Sequence, residues 1–234
     1  MNLPRALLTA LGLSLCAAPL HAHDLWLEKD GKRWTLYQGH RHSSHAGAAT
    51  LAYGGSFVTA TRCVDARGGS RPLAVVGTAP WIASGDCAVL LVEVSSGYWS
   101  KSPWETKNAP KSEVPGALKS WLSRESLKRL EQWSAAAAQP LGDDLELVPT
   151  SDPFALKPGD KLVMRVLRGG KPLARVPVAY HGDTRGETDA DGRIAIRLRH
   201  GGIQLISASV ETPLADGKAD VEIVAATLQW ELPQ

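Results

Sequence analysis

The sequence predicts a mainly β protein that contains a β-sandwich and one helical insertion. Short segments rich in β-branched and aromatic residues alternate with Gly and Asp turns in both halves of the chain. Between the halves, residues 99–140 change to Trp, Lys, Ser and Pro and then to a helix-like spacing of apolar residues. With 234 residues, 44% of them hydrophobic and 21% charged, the chain is large enough to bury a core.

Residues 1–22 have the features of a secretory signal peptide. Arg5 supplies the positive charge of the n-region, residues 6–15 form the apolar stretch, and small residues follow up to Ala22. Cleavage after Ala22 gives a mature chain that starts at His23, and we expect this chain to reside in the periplasm. No later apolar segment is long enough to span a membrane. The formal net charge of +2 gives no electrostatic reason to expect nucleic acid as a partner.

Residues 23–98 form the predicted N-terminal β domain, with strand-like segments at 34–37, 56–64, 73–76 and 88–94. Cys16 leaves with the signal peptide, so the mature chain keeps Cys63 and Cys87. In an oxidising compartment we expect these two residues to form a disulfide. The alternative is a soft metal site built from two thiolates, which such a compartment disfavours.

Residues 99–140 are predicted to be a helical insertion or linker. The apolar residues in its second half recur at helical spacing, namely Leu118, Trp121, Leu122, Leu127, Leu130 and Trp133. Glu125 lies four residues before Arg129, as in a helical ion pair, and Pro140 is expected to end the helix.

Residues 141–234 are predicted to form a C-terminal β-sandwich, because short strands recur about every ten residues. The strands are expected at 161–167, 176–180, 194–198, 203–210 and 221–230. The Asp-rich segments at 181–183 and 189–192 could offer oxygen ligands to calcium, but they lack the glutamate of an EF-hand loop. Asp and Gly are also the residues of tight turns, so we interpret them as turns between strands.

Four histidines at the start of the mature chain are the sharpest chemical feature, namely His23, His40, His42 and His45. The α-amine and imidazole of an N-terminal histidine can chelate one metal ion, and the amine has a pKa near about 8. His40 and His42 share a face of an extended segment, and His45 can return over Ser43 and Ser44. We therefore predict a nitrogen-rich site for a divalent transition metal, with Ni, Co, Cu or Zn all suitable.

Two other functions are compatible with the same residues. An N-terminal histidine with a second imidazole can hold copper in an oxygenase, whereas a β-sandwich with incidental histidines would bind a protein or a glycan. Trp26, Trp99 and Trp104 could line a groove for a sugar ring, although core packing is the commoner role of tryptophan. The sequence has no hydrolase motif, neither a G-x-S-x-G nor an H-E-x-x-H, and we predict no enzyme activity.

Several segments resemble the exported DUF4198 proteins, which are related to periplasmic components of nickel and cobalt uptake systems, the NikM- and NikK-like group. The similar segments are residues 23–28, 97–101 with 111–115, 157–160 with 170–173, 188–193 and 225–228. The resemblance implies an immunoglobulin-like or transthyretin-like β architecture. It also implies that His23 presents nickel or cobalt to a separate inner-membrane transporter.

Overall fold

The structure is a computed structural model that describes residues 24–41 and 49–234. In this part of the chain the regular elements are β-strands and two short 3-10 turns, at Lys111–Glu113 and Pro153–Ala155. The strands are β1 (Asp24–Asp30), β2 (Arg33–Gly39), β3 (Thr50–Leu51), β4 (Val58–Val64), β5 (Leu73–Thr78), β6 (Trp81–Gly85), β7 (Val89–Lys101), β8 (Thr106–Lys107), β9 (Lys119–Leu130), β10 (Leu145–Pro149), β11 (Lys161–Arg168), β12 (Lys171–Pro172), β13 (Pro177–Tyr180), β14 (Asp183–Glu187), β15 (Arg193–Arg197), β16 (Gly202–Pro213) and β17 (Val221–Leu232).

One large sheet joins strands from both halves of the chain. Its strand order is β14-β13-β16-β17-β9-β7-β4, and β8 pairs with β7. The pairing of β17 with β9 is parallel, whereas the other strand pairs of this sheet are antiparallel. Strand β9 lies in the interior of this sheet, between β17 and β7, and so pairs residues 119–130 with strands that lie far away in the sequence.

The predicted helical insertion is wrong, because the described chain contains no α-helix and residues 119–130 form strand β9. All five residues from Ser126 to Leu130 are buried, since both faces of this strand are covered. A strand covered on both faces loses the period of two that would identify it. Its buried Lys128 forms an ion pair with Glu146, and Arg129 forms one with Glu131. The sequence of this buried strand therefore contains charged residues where apolar ones are expected.

Two smaller sheets pack on opposite faces of the large sheet. The N-terminal small sheet has the order β1-β2-β6-β5, with β3 paired to β2. Its core residues, including Leu25, Leu27 and Trp34, pack against Leu90, Val92 and Leu127 of the large sheet. The C-terminal small sheet consists of β10, β11, β12 and β15, and its Leu145, Leu162 and Met164 pack against the other face. Apolar burial on both faces thus holds three layers together.

The predicted disulfide is confirmed, because Cys63 in β4 and Cys87 just before β7 are bonded to each other. Both cysteines are buried in the core that the N-terminal small sheet shares with the large sheet. The bond closes a sequence separation of 24 residues, which corresponds to a stabilisation of roughly 3 kcal/mol in the chain-entropy account.

Among the described residues, no helix is long and apolar enough to cross a membrane.

Candidate metal site at the start of the mature chain

The first described residue lies next to the predicted histidine loop. Strand β1 pairs with β2 in an antiparallel register that sets Asp24 opposite Gly39 and Leu25 opposite Gln38. Asp24 directly follows His23 in the sequence, and Gly39 directly precedes His40. The register therefore brings the sequence neighbours of two predicted ligands, far apart along the chain, to one end of one strand pair.

The two ends of the histidine loop are close together. Gln38 pairs with Leu51 and Gly39 with Thr50, and the His40 amide donates a hydrogen bond to the Ala49 carbonyl oxygen at 3.0 Å. A Cβ atom on Gly39 would lie 2.3 Å from that oxygen, so only glycine permits this approach. The chain leaves the sheet after Gly39 and re-enters it at Thr50, so the two ends of the histidine loop lie side by side.

The alternation of side chains shows which face of this strand pair meets the large sheet. Leu25 and Leu27 on β1 and Leu36 on β2 belong to the buried core, and Gln38 is buried on the same face of β2. Successive side chains of a strand point to opposite faces, so every second residue shares this inward face. His40 is two residues after Gln38, directly follows the end of β2, and is half-buried.

Of the four predicted metal ligands, the structure describes only His40. His23, His42 and His45 lie outside the described residues. Within residues 24–41 and 49–234, no group of three or more His, Cys, Asp or Glu side chains has a spacing that could hold a metal ion. The described structure thus supplies the framework around the predicted site, and the full ligand set remains a prediction.

Glu125 is a residue near this site that the sequence analysis assigned only to a helical ion pair. It lies on the interior strand β9, and its carboxylate Oε1 accepts a hydrogen bond from Gln38 Nε2 at 3.5 Å. Burial raises the pKa of Glu125 from 4.5 to about 7, while the hydrogen bond from Gln38 acts in the opposite direction. Only the pairing of distant strands reveals this residue, since nothing in the local sequence distinguishes it from an exposed helical glutamate.

The outward face of the same strand pair carries an aromatic and charged cluster. Trp26 stacks on Tyr37 with ring centroids 5.6 Å apart, and the Arg41 guanidinium lies 5.5 Å from the Trp26 ring. Arg41 also forms an ion pair with Glu28 at 2.7 Å, and the Trp26 indole nitrogen donates to the same carboxylate. These contacts fix Arg41, the residue that follows His40.

The three tryptophans that could have formed a sugar-binding groove have separate surroundings. Trp26 is buried against Tyr37, and Trp99 stacks on Trp121 with ring centroids 6.4 Å apart. Trp104 is 82% exposed, with its ring edge over Gly116. Their described contacts do not join them into one aromatic platform.

The two Asp-rich segments lie in turns, as expected. His181 and Gly182 form the two-residue connection between β13 and β14, both with positive φ, which suits a tight hairpin. The Asp189 carboxylate accepts hydrogen bonds from the amides of Asp191 and Arg193, at 2.9 and 2.8 Å. Its oxygen therefore stabilises the turn that leads from β14 to β15, in the manner of an Asx turn.

The comparisons with known proteins identify a family but no characterised relative. Residues 20–212 match a family described as a domain of unknown function, DUF4198. Neither the search of curated proteins nor that of solved structures gives a match. The match covers most of the chain and includes both the strand pair at the candidate site and strand β9. The chain belongs to the DUF4198 family.

Proposed function

We propose that the mature protein binds a divalent transition metal ion in the periplasm, nickel or cobalt in the first place, as a component of metal uptake. The single observation that carries this proposal is the pairing of Asp24 with Gly39. His23 directly precedes Asp24 in the sequence, and His40 directly follows Gly39. Removal of the signal peptide would expose the α-amine of His23.

The chemistry of the proposed donors suits such an ion. The amine and imidazole of His23 can close a chelate ring on one ion, and the imidazole of His40 is the proposed third nitrogen donor. His42 and His45 follow within five residues of His40, in a loop whose ends are fixed by the Gly39–Thr50 rung. Nitrogen donors of this kind favour Ni, Co, Cu and Zn over calcium or magnesium.

The proposal also includes a partner protein and a fold class for the C-terminal half. A separate inner-membrane transporter would receive the ion, in line with the resemblance to nickel and cobalt uptake components. The immunoglobulin-like or transthyretin-like class is proposed for residues 141–234. In its support, strands β10, β11 and β15 pack face to face with β13, β16 and β17 around a shared core.

The decisive test compares two forms of the mature protein by calorimetric titration with Ni, Co, Cu and Zn at neutral pH. One form begins at His23, and the other carries one extra alanine before it. We expect the extra residue and the His40→Ala substitution each to weaken binding roughly tenfold or more, because each removes a proposed ligand. The matched control is His200→Ala, which removes a histidine of the C-terminal half and is expected to leave the affinity unchanged.

Two results would overturn the proposal. Equal affinity of the extended and native forms would eliminate the amine as a ligand. Failure of the native form to bind any of the four ions more tightly than about 10 μM, roughly 7 kcal/mol, would remove metal binding altogether. Mass spectrometry of protein purified from the periplasm reports both the first residue and the bound ion, and it is expected to show His23 and one nickel or cobalt.

A further inference from the structure

Two strongly exposed apolar side chains lie at the end of the large sheet where β7 finishes and β9 begins. Trp104 is 82% exposed and Leu118 is 73% exposed, and no other large hydrophobic residue of the described chain is exposed to this extent. Both belong to residues 101–119, which run from the last residue of β7 to the first residue of β9 and which we call the sheet tip. A patch of exposed apolar side chains marks an interaction surface when its members lie together.

The two exposed side chains lie on neighbouring segments of the sheet tip. Lys101 pairs with Thr106 of β8 at one edge of β7, and at the other edge its carbonyl oxygen accepts a hydrogen bond from the Leu118 amide at 2.8 Å. The Trp104 ring lies over Gly116, two residues before Leu118, where an added Cβ would be 3.4 Å from Trp104 Cζ3. Both side chains therefore belong to one end of the sheet and are not scattered over the molecule.

Ser102 holds the turn that presents Trp104. The hydroxyl of this buried serine accepts hydrogen bonds from the Trp104 amide at 3.3 Å and from the Glu105 amide at 3.2 Å. The Ser102 amide donates to the Glu105 carbonyl oxygen at 2.9 Å and closes the turn. A preformed turn loses little conformational entropy when its exposed side chain is buried against a partner. The fold itself thus places Trp104 in water, in a position suited to binding.

Lysines accompany these apolar side chains. The sheet tip contains four lysines and two glutamates, which gives it a net charge of +2. Lys101 and Lys119 are directly opposite each other in the pairing of β7 with β9, although like charges at such positions destabilise a sheet. Lys111 and Lys119 form ion pairs with acidic residues outside the tip, whereas no carboxylate of the described chain forms an ion pair with Lys101 or Lys107. Positive charge beside an apolar patch suits a partner with anionic groups.

The residue types at the tip favour a lipid surface over a protein or a sugar. Lysine is depleted in protein–protein interfaces, and a sugar ring that stacks on Trp104 would gain little from an exposed leucine. At a membrane surface, tryptophan lies at the level of the headgroups and leucine reaches the acyl boundary. Lysines there attract anionic lipids while their apolar stems lie along the apolar surface. A phospholipid surface therefore gives a role to all three residue types.

We propose that the sheet tip docks the protein on an anionic phospholipid surface. Trp104 and Leu118 enter the headgroup layer, and Lys101 and Lys107 lie against the lipid phosphates. The attachment is peripheral and reversible, because two apolar side chains and a few lysines bury far less apolar area than a membrane-spanning segment. This inference goes beyond the proposed function and needs no bound metal ion.

Co-sedimentation with lipid vesicles tests the inference. The chain that begins at His23 is used, because the apolar stretch before it can itself bind lipid. One set of vesicles contains phosphatidylglycerol and phosphatidylethanolamine, and the other contains phosphatidylcholine alone. We expect binding to the anionic vesicles and several-fold weaker binding to the neutral ones. The double variant Trp104→Ser/Leu118→Ser is expected to bind the anionic vesicles roughly tenfold or more weakly, because both apolar side chains are lost.

Two further double variants separate the apolar and the charged contributions. The matched control is Val75→Ser/Val76→Ser, which removes the exposed apolar pair of β5 and is expected to leave vesicle binding unchanged. Lys101→Gln/Lys107→Gln is expected to weaken binding to the anionic vesicles several-fold and to leave binding to the neutral ones unchanged. Circular dichroism verifies that each variant is folded.

Fluorescence quenching identifies the side chain that enters the lipid. Lipids with brominated acyl chains quench a tryptophan that lies against them, and we expect them to quench the fluorescence of the unmodified protein. Trp104→Phe keeps an apolar ring, so this variant is expected to retain vesicle binding and to lose most of the quenching. Quenching that persists in Trp104→Phe would show that another surface meets the lipid, and would overturn the inference.

The sedimentation results can also overturn the inference. Failure of the unmodified protein to bind the anionic vesicles would do so, as would equal binding to both kinds of vesicle or undiminished binding of Trp104→Ser/Leu118→Ser. All of these measurements are made without metal ions, so their outcome is independent of the metal titrations that test the proposed function.

Discussion

The side-chain amide of Gln229 on β17 bonds to both backbone groups of Leu27 on β1. Its Oε1 accepts from the Leu27 amide at 2.8 Å, and its Nε2 donates to the Leu27 carbonyl oxygen at 2.7 Å. Gln229 is fully buried, and it provides the edge of β1 with the pairing that another strand would otherwise supply. One residue of the large sheet thus fixes strand β1.

Replacing Gln229 by leucine is expected to lower the free energy of unfolding by about 2–4 kcal/mol. The substitution keeps the volume and leaves two buried backbone groups without partners. Denaturant unfolding of the variant provides the measurement. Gln132→Leu, at an exposed glutamine, is the control and is expected to cost less than about 0.5 kcal/mol. Equal losses in the two variants would show that the bonds to Leu27 contribute little.

Replacing Gly39 by alanine is expected to open the closed end of the histidine loop. The added Cβ would meet the Ala49 carbonyl oxygen at 2.3 Å, a backbone atom that cannot turn aside. We expect a loss of about 1–3 kcal/mol in stability, typical of overpacking, together with weaker metal binding. Gly54→Ala is the control, since a Cβ at Gly54 meets no atom within 4 Å. Thermal melts and metal titrations of both variants test the difference.

The raised pKa of Glu125 predicts a specific dependence of stability on pH in the metal-free protein. Its pKa is raised from 4.5 to about 7 in the folded state, so the folded protein binds more protons than the unfolded chain between these values. Stability therefore falls as the pH rises from about 4.5 to 7, and Glu125→Gln removes this part of the fall. At pH 8 the variant is expected to be more stable than the unmodified protein by on the order of 2 kcal/mol, after allowance for partial exposure. A stability difference that stays constant from pH 4 to pH 8 would contradict this.

A neutral substitution of either Lys128 or Glu146 alone is expected to lower the free energy of unfolding, because it leaves the other buried charge without its partner. The Lys128 ammonium bonds Glu146 at 2.7 Å and the Gln139 carbonyl oxygen at 2.6 Å, and both charged side chains are almost fully buried. Lys128→Met leaves the Glu146 charge buried and is expected to cost about 3–5 kcal/mol. Lys119→Met on the same strand breaks the exposed pair with Glu211 and is expected to cost less than about 1 kcal/mol. Urea unfolding of both variants gives the comparison.

Loss of the Cys63–Cys87 disulfide is expected to lower the stability of the protein. Replacing both Cys63 and Cys87 by serine is expected to lower the free energy of unfolding by roughly 3 kcal/mol, because the unfolded chain regains the freedom of the closed loop. A reducing agent is expected to destabilise the unmodified protein by a similar amount and to leave the double variant unchanged. Chemical unfolding with and without reductant measures both effects, and sensitivity of the double variant to reductant would contradict the assignment.

Local patterns predicted the features that depend on few residues. Alternating and β-branched segments predicted the strands, paired cysteines predicted the Cys63–Cys87 bond, and Gly and Asp predicted turns at His181 and Asp189. Strand β9 was missed because its neighbours cover both faces and its charged residues find partners on other strands. The contact of Glu125 was missed for the same reason, since its hydrogen bond comes from Gln38, 87 residues away along the chain.

The sequence by itself determined the mainly β class, the cysteine pairing and the clustering of histidines between residues 23 and 45, because each follows from residue chemistry or short-range periodicity. Only the tertiary structure decided that Asp24 lies opposite Gly39, that the ends of the histidine loop meet at Ala49, and that Glu125 accepts a hydrogen bond from Gln38. Strand register and sheet packing are set by long-range burial of Leu25, Leu36 and Leu127. Those contacts form between segments that share no local pattern, so they emerge only when the sheets are assembled.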